Sequence, residues 1–132
     1  MDIEQKLQNR LNGFDKACKQ LEKALAMPSD EFIRDSAIQR FEFTFELFWK
    51  ILKTYCNILG YKTDSPRGSI KQIFKAGTIE DDPIYLAMLQ VRNLTTHNTY
   101  EEKLAEEIYG KLPAYSKAMQ TAIINIRKDF TS

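Results

Sequence analysis

At 132 residues the chain is sized for one domain, residues 1–132, with room for a real core. Its 19 Lys and Arg stand against 18 Asp and Glu, and the resulting net charge of +1 excludes a broad electrostatic pull on nucleic acid and implies no DNA partner. Met1-Asp2-Ile3-Glu4 lacks the basic and apolar regions of a signal peptide, and no apolar run reaches membrane-span length, so a soluble, cytoplasmic protein without a membrane partner is expected.

In chain order, Ile3, Leu7, Leu11, Phe14, Cys18, Leu21 and Leu25 recur at steps of four and three, which predicts a helix over 3–27 with a narrow apolar seam. Pro28 stops it, and Ser29 with Asp30 and Glu31 behind it reads as the next N-cap. The second helix is predicted to run to about Leu59, with Gly60 as its C-terminal stop. Its stripe is Phe41, Phe45, Phe48, Leu52, Tyr55 and Leu59, while Ile38, Phe43, Leu47, Trp49 and Ile51 spread onto other faces. Phe41 to Leu47 alternates like a strand, but the helical period continues on both sides with no turn signal inside. A helix that is apolar on several faces needs several neighbours, either as the centre of a bundle or as a shared dimer element.

Ser65-Pro66 opens a short helix closed by Gly77, and Asp82-Pro83 repeats the start signal before Ile84 to Val91. The last helix carries Leu104, Ile108, Leu112, Tyr115, Met119, Ile123, Ile126 and Phe130, with a kink expected at Gly110 and Pro113. The fold expected is all-α: an antiparallel up-and-down bundle of four long helices plus a short connecting helix. Cys18 and Cys56 sit inside helical patterns without metal spacing and read as small buried apolar residues.

The stretch Arg92-Asn93-Leu94-Thr95-Thr96-His97-Asn98-Thr99-Tyr100 holds the only histidine. Arginine forks onto phosphate, and histidine changes charge near neutral pH, so the pair suits phosphodiester chemistry or the gripping of a nucleotide. On one helix, residues five apart diverge by about 140°, whereas Asn93, Thr96, His97 and Tyr100 share a face. An Arg92–His97 site therefore needs a break near Thr96 or a two-fold partner that brings the two helix ends together. Thr99-Tyr100-Glu101-Glu102 fits a capping box, which would start the last helix at Thr99 and make Asn98 the junction. His97 would then end a helix, where the dipole favours its protonated form. A lone histidine at a helix end is otherwise a capping or packing residue.

The segment resembles the Arg-x4-His motif of the HEPN superfamily. Most of the chain, about residues 5–128, is similar to the nucleotidyltransferase substrate-binding protein family, relatives of the HepT toxins. Gln39 to Glu46 with Trp49-Lys50, Ser65-Pro66-Arg67, Phe74 to Ile79 and Arg92 to His97 carry the likeness. The resemblance implies a helical bundle, usually a homodimer, working beside a separately encoded minimal nucleotidyltransferase. In HepT-like relatives the motif Arg and His serve metal-independent RNA cleavage, and a tyrosine two residues past the His accepts AMP from the partner. Arg92 and His97 match the first two; Tyr100 lies three residues past His97, a turn of about 100° that weakens the carry-over of the acceptor role.

Three functional readings follow. In the first, Arg92, Asn93, His97 and Tyr100, with Arg40 and Glu42 from the second helix, line a cleft that binds a nucleotide or RNA substrate for the partner enzyme. In the second, His97 takes the proton of a ribose 2′-hydroxyl and Arg92 stabilises the phosphoryl oxygens, as a ribonuclease needing no metal or other cofactor. The displaced tyrosine favours the first. A non-catalytic dimeric scaffold is the third. Glu46 stands four residues before Lys50, so a salt bridge is expected there rather than metal binding.

Overall fold

The structure, a computed structural model, describes residues 2–97 and 101–131; of His97 and Thr131 it describes the backbone alone. Five helices follow one another: α1 (Ile3–Ala26), α2 (Glu31–Ile58), α3 (Pro66–Lys75), α4 (Pro83–His97) and α5 (Glu102–Thr131). The fold is all-α, and no strand occurs among the described residues; Phe41 to Leu47 lies in the middle of α2.

The helix ends follow from local chemistry. Asp2, Asp30 and Ser65 cap α1, α2 and α3, each side-chain oxygen accepting the amide three residues on. The cap of α2 is thus Asp30 and not Ser29: with Glu31 the first helical residue, Asp30 is the one whose carboxylate reaches the Ile33 amide, at 2.8 Å. Gly60 and Gly77 take φ of +93° and +82°, the left-handed turn that ends α2 and α3. After each, the next amide reaches back to the last turn (Tyr61 to the Cys56 carbonyl, Thr78 to that of Ile73, both 2.9 Å), closing a Schellman motif. Gly110 and Pro113 do not interrupt α5. Pro113 is solvent-exposed.

Side-chain pairs fix the directions. Arg10 meets Thr54, Phe14 meets Phe48 and Gln20 meets Arg40, so α1 and α2 are antiparallel. Phe48 meets Tyr85 while Glu46 meets Arg92, so α4 is antiparallel to α2 as well. Arg34 meets Glu102, Phe41 meets Tyr115 and Tyr55 meets Asp129, which sets α5 parallel to α2. That is up-down-up-down order, with α3 as the connector. The bundle is flattened: α2 touches every other helix, including α5 across the diagonal, whereas α1 and α4 do not meet.

The aromatic face of α2 explains this centrality. Phe48 stacks on Tyr85 of α4 with ring centroids 5.9 Å apart and lies 6.1 Å from Phe14 of α1, while Phe41 lies 5.6 Å from Tyr115 of α5. Such pairs add about 0.5–1.5 kcal/mol each beyond the area they bury. Cys18 and Cys56 are both buried and unpaired, and burial pushes the Cys18 thiol up to about 11, so neither is poised to react. Among the described residues no helix is long and apolar enough to cross a membrane.

The predicted stripe is buried from Phe41 to Tyr55, with only Leu59 at its end exposed, but the apolar residues off the stripe are not all core. Phe43 is 62 % exposed and Phe32 83 %, on the one face of α2 that no helix covers. Phe48→Ala is therefore expected to lower the unfolding free energy by about 3–5 kcal/mol, and Phe43→Ala to change it by less than about 0.5 kcal/mol. Urea titrations followed by far-UV circular dichroism measure both.

Candidate functional site

The second half of α4 packs against the middle of α2, and that contact brings the candidate residues together. Arg92 lies across the ring of Phe45, its guanidinium carbon 5.8 Å from the ring centroid, and its Nη1 stands 3.8 Å from Glu46 Oε2. The Arg92 side chain is only 20 % exposed. Its Nε is buried without a hydrogen-bond partner, and among the described residues nothing accepts a hydrogen bond from the rest of the guanidinium. Taking a cation out of water is costly unless it is paired and hydrogen-bonded. The Phe45 ring face and a carboxylate at 3.8 Å offset part of that. The fork itself is left free.

Glu46 is shared. Besides Arg92 it accepts from Trp49 Nε1 at 3.1 Å and pairs with Lys50 Nζ at 3.8 Å, the i,i+4 bridge expected from the sequence. Two cations thus converge on one carboxylate. Glu42, one turn earlier on α2, is half-buried and lies near Thr95 of α4, whose hydroxyl donates to the Arg92 carbonyl at 3.4 Å. Burial pushes the Glu42 carboxyl above the ordinary carboxylate range, and the nearby Thr95 hydroxyl opposes the shift only partly. Asn93 is exposed on α4. The Thr96 hydroxyl donates to the Arg92 carbonyl at 2.8 Å and tightens the last turn before His97.

The described part of α4 runs to His97, whose side chain lies outside what the structure describes, so the expected helix end there and any Arg92–His97 convergence belong to the proposal below. Asn98, Thr99 and Tyr100 lie outside the described residues, and with them the expected capping box at Thr99 and the displaced tyrosine. The described part of α5 starts at Glu102, with the Ala105 amide bonded to the Glu101 carbonyl at 3.0 Å. The junction is held from α2: the Arg34 side chain, 5 % exposed, donates to Glu102, to Glu106 at 2.9 Å and to Asp35 at 3.1 Å. Arg34 holds the Glu102 carboxyl below the usual carboxylate range, and this favourable contact is lost as pH falls through that lowered pKa.

Arg40 goes elsewhere. It stands two residues before Glu42, about 200° around the helix, where Ser36 accepts from its Nε at 3.2 Å and Gln20 of α1 lies 3.5 Å from its Nη1. Within one chain, Glu42, Glu46 and Arg92 belong to the α2–α4 contact, Asn93 to the exposed side of α4, and Arg40 to the α1–α2 flank. Sequence reading missed Phe45, Thr95 and Trp49 as neighbours of Arg92, and Arg34 as the anchor of the junction. The i,i+4 pair Glu42 and Glu46 on the face beside Phe45 was the available signal. No three His, Cys, Asp or Glu gather as metal ligands among the described residues.

These environments have measurable consequences. A carboxyl whose pKa is raised by folding destabilises the fold above that pKa, and the penalty vanishes below the unfolded value. Glu42→Gln is therefore expected to raise Tm at pH 7 and leave it unchanged near pH 4, measured by thermal melts across pH. Arg34→Gln is expected to speed amide exchange in residues 102–106 well beyond that in the middle of α5; equal acceleration along α5 would show a merely global effect.

The site sits in a recognisable context. Residues 9–128 match the family described as "Nucleotidyltransferase substrate binding protein like". The chain is 28 % identical to a probable ribonuclease HepT of Haemophilus influenzae, with 77 % of this chain and 81 % of that protein covered. A crystal structure of a Thermus thermophilus protein superposes with a TM-score of 0.80 at 36 % identity, covering 86 % of this chain and 98 % of that one. The chain belongs to the nucleotidyltransferase substrate-binding protein family and has HepT-like relatives.

Proposed function

We propose that this protein is the substrate-binding subunit of a separately encoded minimal nucleotidyltransferase, acting as a homodimer in a two-component, toxin–antitoxin-like pair. The observation that carries the reading is the Arg92 guanidinium, largely buried against Phe45 and free of hydrogen bonds among the described residues. A planar, permanently charged fork held in one orientation is suited to a phosphate or another oxyanion. Glu46 and the Phe45 ring set the orientation, and Asn93 supplies an amide one position along α4. In a two-fold dimer that presses the α4–α5 junctions together, two copies of Arg92 and His97 line one cleft. In this reading Tyr100 and His97 complete the substrate contact and Glu42 flanks it from α2, while Arg40, expected there from the sequence, lies on the α1 side of the same helix.

The resemblance to a probable ribonuclease HepT favours a second reading, metal-independent RNA cleavage. There His97 accepts the proton of a ribose 2′-hydroxyl, whose oxygen attacks the adjacent phosphorus. The P–O5′ bond breaks, a 2′,3′-cyclic phosphate forms, and the 5′-oxygen leaves with a proton. Arg92 neutralises the charge that builds on the phosphoryl oxygens, a contribution of several kcal/mol in comparable sites. The proton for the 5′-oxygen comes from solvent; of the carboxyls on the described face, Glu46 lies beside Arg92 and Glu42 is the one that burial pushes above its ordinary range.

The test is an assay of purified protein with and without its nucleotidyltransferase, in EDTA for RNA cleavage and with magnesium for nucleotide transfer. The substrate-binding reading predicts no cleavage by the isolated protein and a complex whose transfer activity falls at least about tenfold on Arg92→Ala, the loss of roughly one charge-assisted hydrogen bond. Cleavage that His97→Ala abolishes, at unchanged helicity and oligomeric state, would replace it with the ribonuclease reading.

A further inference from the structure

The face of α2 left uncovered by the bundle forms, with α1, an open groove of about 610 Å³. On α1 it is lined by Gly13, Lys16 and Ala17, and on α2 by Arg40, Phe43 and Leu47. It extends along α2 from Ser36 to Leu47, roughly 16 Å at the helical rise, which is the length of three helical turns. Three features need an occupant. Phe43 holds its ring out of the chain's own core, and Phe32 continues the stripe beyond the groove's end. Gly13 sits in the middle of α1, where glycine weakens a helix, yet a Cβ there would meet nothing within 4 Å. With Ala17 one turn on, Gly13 opens α1 to close approach by another backbone. Finally, the lining contains Lys16 and Arg40 and no acidic residue, and among the described residues neither cation pairs with a carboxylate.

We infer that this α1–α2 groove is the docking surface for an amphipathic helix of the nucleotidyltransferase partner, apolar along one face and flanked by Asp or Glu. The inference rests on the reading of this chain as that enzyme's subunit. A third helix laid between α1 and α2 meets small residues on one side and Phe43 and Leu47 as knobs on the other, the geometry of helix packing in bundles. Its acids reach Arg40, which Ser36 and Gln20 already hold in place, and Lys16. A second copy of this chain fits the groove badly, because a two-fold contact here would set a lining that carries Lys16 and Arg40 and no acid against a copy of itself. The groove lies on the opposite flank of α2 from the Glu42 and Arg92 contact, so the partner can dock without filling the substrate site.

The complex of the full chain with its nucleotidyltransferase supplies the test. Phe43→p-benzoylphenylalanine is co-expressed with the enzyme and photolysed, and the joined peptides are identified by mass spectrometry. The cross-link is expected on an acidic helical segment of the enzyme. Lys16→Glu with Arg40→Glu is expected to weaken the complex at least tenfold at low salt, and Gly13→Leu to do so at any salt, while Arg92→Ala leaves complex formation unchanged. A cross-link from residue 43 to a second copy of this chain, or full affinity in the Lys16→Glu and Arg40→Glu variant, overturns the groove assignment and leaves the subunit reading standing. Failure of the unaltered chain to bind the enzyme at all overturns both.

Discussion

The molecule depends on the burial of one aromatic face. Phe41, Phe45 and Phe48 project from α2 into the centre of the bundle and touch rings from α1, α4 and α5. Because one helix supplies the knobs for all the others, the bundle flattens until α2 and α5 meet across its diagonal. The same face makes the candidate site. Phe45 carries Arg92 on its ring, and the residues beside it, Glu42 and Glu46, receive Thr95 and Arg92 from α4. Core and site are two edges of one helix.

This arrangement explains why a cation is tolerated there. Arg92 is held by a ring face and by a carboxylate that also serves Trp49 and Lys50, so its position is set while no described residue accepts a hydrogen bond from its guanidinium. A site built this way gives up some stability for readiness to bind, the trade that partly desolvated functional groups make. Glu42 is the companion case: its carboxyl is carried in a half-buried setting that pushes it above the ordinary carboxylate range. Arg34 does the opposite work. Its donors are engaged by Glu102, Glu106 and Asp35, and it ties the first described turns of α5 to α2.

Much of the fold was legible because helix ends are governed by local chemistry. Ser65-Pro66, Asp82-Pro83, Gly60 and Gly77 announce boundaries that need no knowledge of the tertiary structure, and the period of Leu7, Leu11, Phe14, Cys18 and Leu21 announces the buried seam of α1. Arg92 and Glu42 were legible as candidates from residue type and from the likeness to a family. Their environment was not. Which ring lies under Arg92, and that Arg40 faces α1 while Glu42 faces α4, depends on how α2 is rotated within the bundle. That rotation is set by packing with α1 and α5, far away in sequence. Arg34 carried no local signal, since its partners Glu102 and Glu106 lie on α5, at the other end of the chain. Phe43 was counted with its apolar neighbours because periodicity does not say which apolar face stays open.

Everything functional above turns on Arg92 being a preset anion anchor rather than a packed structural cation. Titration calorimetry of the purified protein with adenosine monophosphate and with adenosine, for the unaltered chain, Arg92→Lys and Arg92→Ala, separates the two. For an anchor, the monophosphate binds and the nucleoside binds at least tenfold more weakly, Arg92→Lys keeps part of the difference, and Arg92→Ala removes it. Equal affinity for the two ligands, or a monophosphate affinity unchanged by Arg92→Ala, would contradict the anchor and leave Arg92 a structural residue.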